Sequence, residues 1–219
     1  GVRGVNISTF DVSSVEDLSE IFFQYYLGDS DRDNFDISGW DTSSVRDLTR
    51  AFAFRGGLEV REPESENNYS GCEGSDRSVI EFVQSWNTSR VESLEGAFQC
   101  TRILEDYVLD WDTSSVVNMR GVFSFVFIER LSDAQIRFVG WSTGEVTDMS
   151  FMFATKLNFD VDTSSWDTSK VEDMTGMFMS SPVQAETTHW DTSNVRLMRS
   201  MFEFSESSSV DTSMWDVSQ

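Results

Sequence analysis

The sequence predicts an α/β repeat solenoid, and its internal periodicity carries that prediction. A phrase of thirteen residues, opened by an aromatic residue, starts eight times in the 219-residue chain. The openings, Phe10, Trp40, Trp86, Trp111, Trp141, Trp166, Trp190 and Trp215, lie 30, 46, 25, 30, 25, 24 and 25 residues apart, so the basic unit is about 25 residues. A unit that short cannot enclose its own core, so copies must stack and bury their apolar sides on one another. Equivalent positions read down the copies form apolar columns, and these columns are the expected core.

The opening column is Trp40, Trp86, Trp111, Trp141, Trp166, Trp190 and Trp215, with Phe10 at its head. Five residues on stand Val15, Val45, Val91, Val116, Val146, Val171 and Val195. Three further on come Leu18, Leu48, Leu94, Met119, Met149, Met174 and Met198. Phe22, Phe52, Phe98, Phe123, Phe153, Phe178 and Phe202 close the phrase. Recurrence in every copy assigns these aromatic residues to packing rather than to a cofactor or sugar site. Short β-branched or aromatic stretches precede the openings, as at Phe35–Ser38, Ile80–Val83, Ile136–Val139 and Val210–Thr212, and predict one strand per rung. From Val to Phe, apolar spacing of i, i+3 and i+7 predicts one short helical turn. Between them, Asp-Thr-Ser is turn chemistry, in which the carboxylate accepts from the backbone amide two residues ahead. The whole of 1–219 reads as a single domain of seven to eight rungs, with an inserted loop at about 55–78.

The phrase is most intact at Trp141–Phe153, Trp166–Phe178 and Trp190–Phe202, where it reads Trp-Asp/Ser-Thr-Ser/Gly-x-Val-x-x-Met-x-x-Met-Phe. In this form it resembles the 26-residue repeat of bacterial surface proteins, which is similar to the BspA-type leucine-rich repeats. The spacing Val171…Met174…Met177-Phe178 matches their Val/Ile…Ile…Ala-Phe pattern. The resemblance implies a leucine-rich-repeat-like solenoid on a cell surface, often within adhesins, and it carries no catalytic residues. The N-terminal half departs from the pattern, with Phe10 in place of Trp, Leu in place of the first Met, and irregular spacing.

Composition agrees with an extracellular or cell-surface setting. The formal net charge is −22 and Lys156 and Lys170 are the only lysines, which disfavours nucleic acid and anionic membranes as partners. No run of eighteen apolar residues is present, so no membrane insertion is expected in this segment. Gly1 begins inside what reads as a rung, and Trp215-Asp216-Val217-Ser218-Gln219 stops partway through one. Those ends predict either continuation in a longer protein or end-to-end stacking into a filament.

Part of the acidic surplus is ordered. Asp11, Asp41, Asn87, Asp112, Ser142, Asp167, Asp191 and Asp216 share the position after the opening aromatic. Carboxylates one strand spacing apart, ~4.8 Å, repel by about 0.9 kcal/mol in water. Two arrangements relieve this: each Asp binds the turn amides of its own rung, or calcium bridges rungs through Asp and Thr oxygens at Asp41, Asp112, Asp167 and Asp191. Asp29, Asp31 and Asp33 form a second candidate calcium cluster, although Asn34 and Trp40 occupy places where an EF-hand needs Gly and Glu. No other cofactor is expected.

The insertion carries Pro63, paired Asn and Cys72, while Cys100 lies two residues beyond Phe98. In an oxidising compartment a Cys72–Cys100 disulfide would staple the insertion to the next rung, for roughly 3.5 kcal/mol by loop-closure entropy. Of three glycosylation sequons, beginning at Asn6, Asn68 and Asn87, only Asn68 lies in this exposed insertion, where a eukaryotic secretory route would modify it. His189 is the sole histidine and reads as a rung-surface residue. With no phosphate loop, nucleophile elbow or Cys/His cluster, the chain is expected not to be an enzyme. The expected function is a structural or adhesive interaction module that meets a protein or glycan at a cell surface. The alternatives are ice binding through the row Thr42, Thr88, Thr113, Thr143, Thr168 and Thr192, or calcium-dependent recognition of a glycan or protein.

Overall fold

The computed structural model describes residues 6–23, 36–53, 80–103, 107–128, 136–138, 140–154, 160–161, 163–181, 184–205, 210–216 and 218. Copies of the phrase stack in chain order, each running parallel to the one before. A single row of parallel bridges joins them, Asp17 to Asp47, Ser93, Asn118, Asp148, Asp173 and Leu197 in turn. Each bridging residue lies seven positions after its opening aromatic, so the row reproduces the sequence period. The second and third copies are neighbours in this row even though their openings stand 46 residues apart. The register of the row is therefore the same across the longest spacing as across the shorter ones.

Regular elements are short. A 3₁₀ turn spans Ile7–Thr9 and a single helical turn, α1, spans Ile80–Val83. The strands are β1 (Arg102–Ile103), β2 (Tyr107–Leu109), β3 (Phe127–Ile128), β4 (Ile136–Phe138), β5 (Asp160–Val161) and β6 (Gln184–Ala185). They pair in parallel as β1–β3, β2–β4 and β5–β6. Of the stretches expected to be strands, 136–138 is one, 80–83 is helical, and the described parts of 35–38 and 210–212 are not strands.

The segment from Val to Phe is not helical in any described copy. Its amides alternate between two destinations, and that alternation replaces the expected helical turn. In the second copy Leu48, Arg50 and Phe52 donate to the carbonyls of Ser93, Glu95 and Ala97 in the next copy, at 3.0, 2.7 and 3.0 Å. Between them, Ala51 and Ala53 close tight turns on Leu48 and Arg50. The same alternation recurs at Leu94, Gly96 and Phe98 and at Met174, Gly176 and Phe178. A helix would direct every amide to its own fourth-preceding carbonyl, leaving none for the neighbour. Turns repeated at short intervals bring apolar residues three or four apart to one side, which is why the spacing imitates a helix.

This path requires a left-handed residue ten positions after the opening. Glu20, Arg50, Gly96, Gly121, Phe151, Gly176 and Ser200 all have φ between 52° and 59°. Gly176 is required for a further reason: a Cβ there would lie 2.4 Å from Cε1 of Phe151.

Side chains inside the stack form continuous columns. Phe22, Phe52, Phe98, Phe123, Phe153, Phe178 and Phe202 stack ring on ring with centroid spacings of 5.4–6.2 Å and interplanar angles of 17° or less. Trp40 stacks on Trp86, and Trp166 on Trp190 and then Trp215. Trp40, Trp86, Trp111, Trp141, Trp166 and Trp190 are buried, as are Phe52, Phe98, Phe123, Phe153 and Phe178. Trp215 and Phe202 are partly buried against the same core. Near-parallel aromatic pairs contribute about 0.5–1.5 kcal/mol each beyond the area they bury.

Candidate functional site

The sequence-predicted site residues among those described fall into two rows, one exposed and one buried, and the geometry separates them. After the opening aromatic, Asp11, Asp41, Asp112, Asp167, Asp191 and Asp216 each accept the amide of the serine two residues ahead through Oδ1, at 3.0–3.1 Å. Asn87 supplies an amide oxygen in the same role to Ser89, at 3.2 Å. The hydrogen bonds from that serine hold these carboxyls below the usual aspartate range. Like charges oppose the shift, Asp11 acting on Asp41 and both Asp167 and Asp216 acting on Asp191. The row is therefore an exposed set of Asx turns, each carboxylate engaged first within its own rung.

The threonines one position later point the other way. Thr42, Thr88, Thr113, Thr143, Thr168 and Thr192 are only 1–3% exposed. Each hydroxyl donates to a backbone carbonyl of the next copy, those of Asn87, Asp112, Ser142, Asp167, Asp191 and Asp216, at 2.9–3.1 Å. A ranked hydroxyl face for ice is therefore not formed by these residues. The hydroxyls are internal struts, and burial is tolerated because every donor has a carbonyl in register.

A further row was hidden among positions that read only as polar. Asp17, Asp47, Asn118, Asp148 and Asp173, the bridging residues, accept the amides of Ser19, Thr49, Arg120, Ser150 and Thr175 at 2.7–2.9 Å. They set the turn that follows the bridge. The signal was present in the sequence, since an Asp or Asn recurs six residues after the first in five of the seven complete copies.

Exposed charge pairs link neighbouring copies along the side of the stack. Arg46 meets both Glu16 and Glu92, and Arg50 meets Glu20 at 2.9 Å. Lys170 meets Glu145 at 2.7 Å and Arg196 meets Glu172 at 3.4 Å. Exposed pairs of this kind contribute about 0–1 kcal/mol each. They set charge pattern more than stability.

Asp29, Asp31 and Asp33, the insertion at 55–78 with Cys72, and Asn68 lie outside the described residues. Among the described residues no group of three or more His, Cys, Asp or Glu side chains is placed to hold a metal ion. No helix among them is long and apolar enough to cross a membrane. Cys100 is fully buried and is not a free thiol. His189 directs Nε2 at the carbonyl of Thr163, 3.1 Å away in the preceding copy.

No curated protein and no solved structure matches the chain. One family model matches it in three segments, 3–59, 66–129 and 125–219, which hold two, two and four of the phrase openings. Most of the chain is covered, and the matched segments contain every copy of the phrase. The chain belongs to the repeat family described as Mycoplasma protein of unknown function, DUF285.

Proposed function

We propose that the chain is a non-enzymatic module of a cell-surface or secreted protein. In this reading its copies form a leucine-rich-repeat-like solenoid of the BspA type that displays side chains for adhesion, protein interaction or structural assembly. The partner is a protein or glycan at a cell surface, or a second copy stacked end to end in a filament. The observation that carries this reading is the division of labour within the phrase. Trp, Thr, Val, Leu/Met and Phe face inward and both Asx rows serve turns. Variable residues reach the solvent in register on both sides of Val, and the row after it reads Glu16, Arg46, Glu92, Val117, Thr147, Glu172 and Arg196. A rigid frame with a variable outer row suits recognition.

Three measurements test it. Protease shaving of intact cells that express the protein is expected to remove it, and a chain protected until lysis would overturn the location. The oxidising setting predicts a Cys72–Cys100 disulfide, seen as an unchanged intact mass after alkylation without reductant; a gain of two adducts would sink it. Assembly predicts fibres or higher oligomers by negative-stain microscopy and light scattering, and a stable monomer with no fibres would remove the filament from the proposal.

A further inference from the structure

Five indole N–H groups of the Trp column follow one rule, and that of Trp190 departs from it. Trp40, Trp86, Trp111, Trp141 and Trp215 donate Nε1–H to a carbonyl of the preceding copy, those of Ile7, Ile37, Val83, Leu109 and Thr187, at 3.0–3.4 Å. Except at Leu109, the accepting residue lies three before the preceding copy's opening aromatic. By that rule the acceptor for Trp190 is the carbonyl of Thr163. Yet Trp190 Nε1 is buried and has no hydrogen-bond partner.

The carbonyl of Thr163 is already full. It accepts the backbone amide of Trp166 at 3.0 Å, as the corresponding carbonyls accept the amides of Trp40, Trp86, Trp190 and Trp215 in their own copies. Elsewhere the second lone pair receives the indole of the next copy; here it faces Nε2 of His189 at 3.1 Å. A carbonyl oxygen offers two lone pairs, and a carbonyl cannot donate, so Nε2 must carry the proton and the indole is left out. His189 is the only histidine of the chain and lies on the solvent side, next in sequence to the indole it displaces.

We propose that Thr163, His189 and Trp190 form a two-position latch between the copies opened by Trp166 and Trp190. In one position His189 holds the Thr163 carbonyl from outside; in the other Trp190 holds it from within, as its sister residues do. Ring stacking is compatible with both, because Trp190 stays flanked by Trp166 and Trp215 at centroid distances of 6.3 and 6.0 Å. The joint is therefore secured by a solvent-side group that can be withdrawn, whereas the five joints with bonded indoles are secured by a ring packed against the core.

Indole N–H resonances of the intact chain in a ¹H–¹⁵N spectrum report the latch directly, with Trp190 assigned by its loss in Trp190→Phe. In the unsubstituted protein the Trp190 indole proton is expected upfield of the five bonded indoles. In His189→Ala it is expected to move downfield to join them, with its solvent exchange slowed about fivefold, as a single recovered hydrogen bond implies. A Trp190 proton already at the bonded position in the unsubstituted protein overturns the latch without any variant. So does one that stays in place in His189→Ala while the other indole signals remain unchanged.

Discussion

Replacing Gly176 with alanine is expected to destabilise the stack by about 2–3 kcal/mol. Two effects contribute. Gly176 has φ of +59°, and placing an L side chain in that region costs about 1–2 kcal/mol. The lower entropy of the unfolded alanine chain returns about 0.4–1 kcal/mol of this. Backbone strain alone is thus modest, and the same column accommodates Glu20, Arg50, Phe151 and Ser200 at φ of 52° to 55°. Crowding is the larger effect: the new Cβ would sit 2.4 and 2.6 Å from Cε1 and Cδ1 of the Phe151 ring. That ring is also covered by the Arg120 guanidinium, 5.1 Å from its centroid, so it cannot swing outward without breaking a second contact. Overpacking of this kind costs about 1–3 kcal/mol. The assay is urea denaturation followed by tryptophan fluorescence, with Gly39→Ala as the control, because nothing lies within 4 Å of a Cβ there. Combining Gly176→Ala with Phe151→Ala separates the effects, since the crowding disappears and the strain remains. A loss below about 1 kcal/mol in the single variant, or a coupling below about 0.5 kcal/mol in the cycle, would refute the reasoning.

Thr168→Val removes the hydroxyl that donates to the Asp191 carbonyl at 3.0 Å; it is expected to cost about 1–2 kcal/mol in the same assay, while Thr168→Ser retains most of the stability. Phe98→Ala opens the ring column between Phe52 and Phe123, 5.4 and 5.5 Å away, and is expected to cost about 3–5 kcal/mol, read as a lowered urea midpoint. The Asx-turn carboxyls predict acid sensitivity. Their folded-state values lie below the unfolded aspartate value of about 3.9, so their stabilisation is complete above that pH and is lost as pH falls through the depressed values. A thermal midpoint that declines below about pH 4 is expected, and one that rises there would contradict the sign. Asp167→Asn keeps the acceptor and removes the titration, so at neutral pH its unfolding free energy is expected to stay within about 0.5 kcal/mol of that of the unsubstituted protein.

What was legible in the sequence followed from properties each copy has alone. Hydrophobic identity was enough to place Val45, Leu48 and Phe52 inward, and Asp41 followed by Thr42 and Ser43 was enough to mark a turn. Misreadings arose where the partner lies in another copy. Thr42 reads as a surface hydroxyl until the Asn87 carbonyl is brought to it, 45 residues away in sequence. The Val-to-Phe segment reads as a helix because its spacing is helical, but the neighbouring copy takes every second amide. Asp47 and Asp148 fall at an unassigned position of the phrase, since their part in the bridge row appears only once copies are in register. His189 likewise has no meaning in isolation; it acquires one from a carbonyl 26 residues upstream.

The unbroken bridge row across the longest spacing separates the frame from its connections. Going from a 25-residue to a 46-residue return adds only about 0.5 kcal/mol of closure entropy, because that cost grows with the logarithm of length. Chain inserted at such a crossing is therefore nearly neutral for the frame, whatever its composition, provided it leaves and re-enters at the same two points. The stack behaves as a rack with sockets of adjustable size: unrelated segments can occupy the crossings while the rings and struts behind them stay unchanged. Diversity of length is then concentrated where it costs least, and a foreign peptide grafted between the second and third copies would be carried at a fixed position along the row.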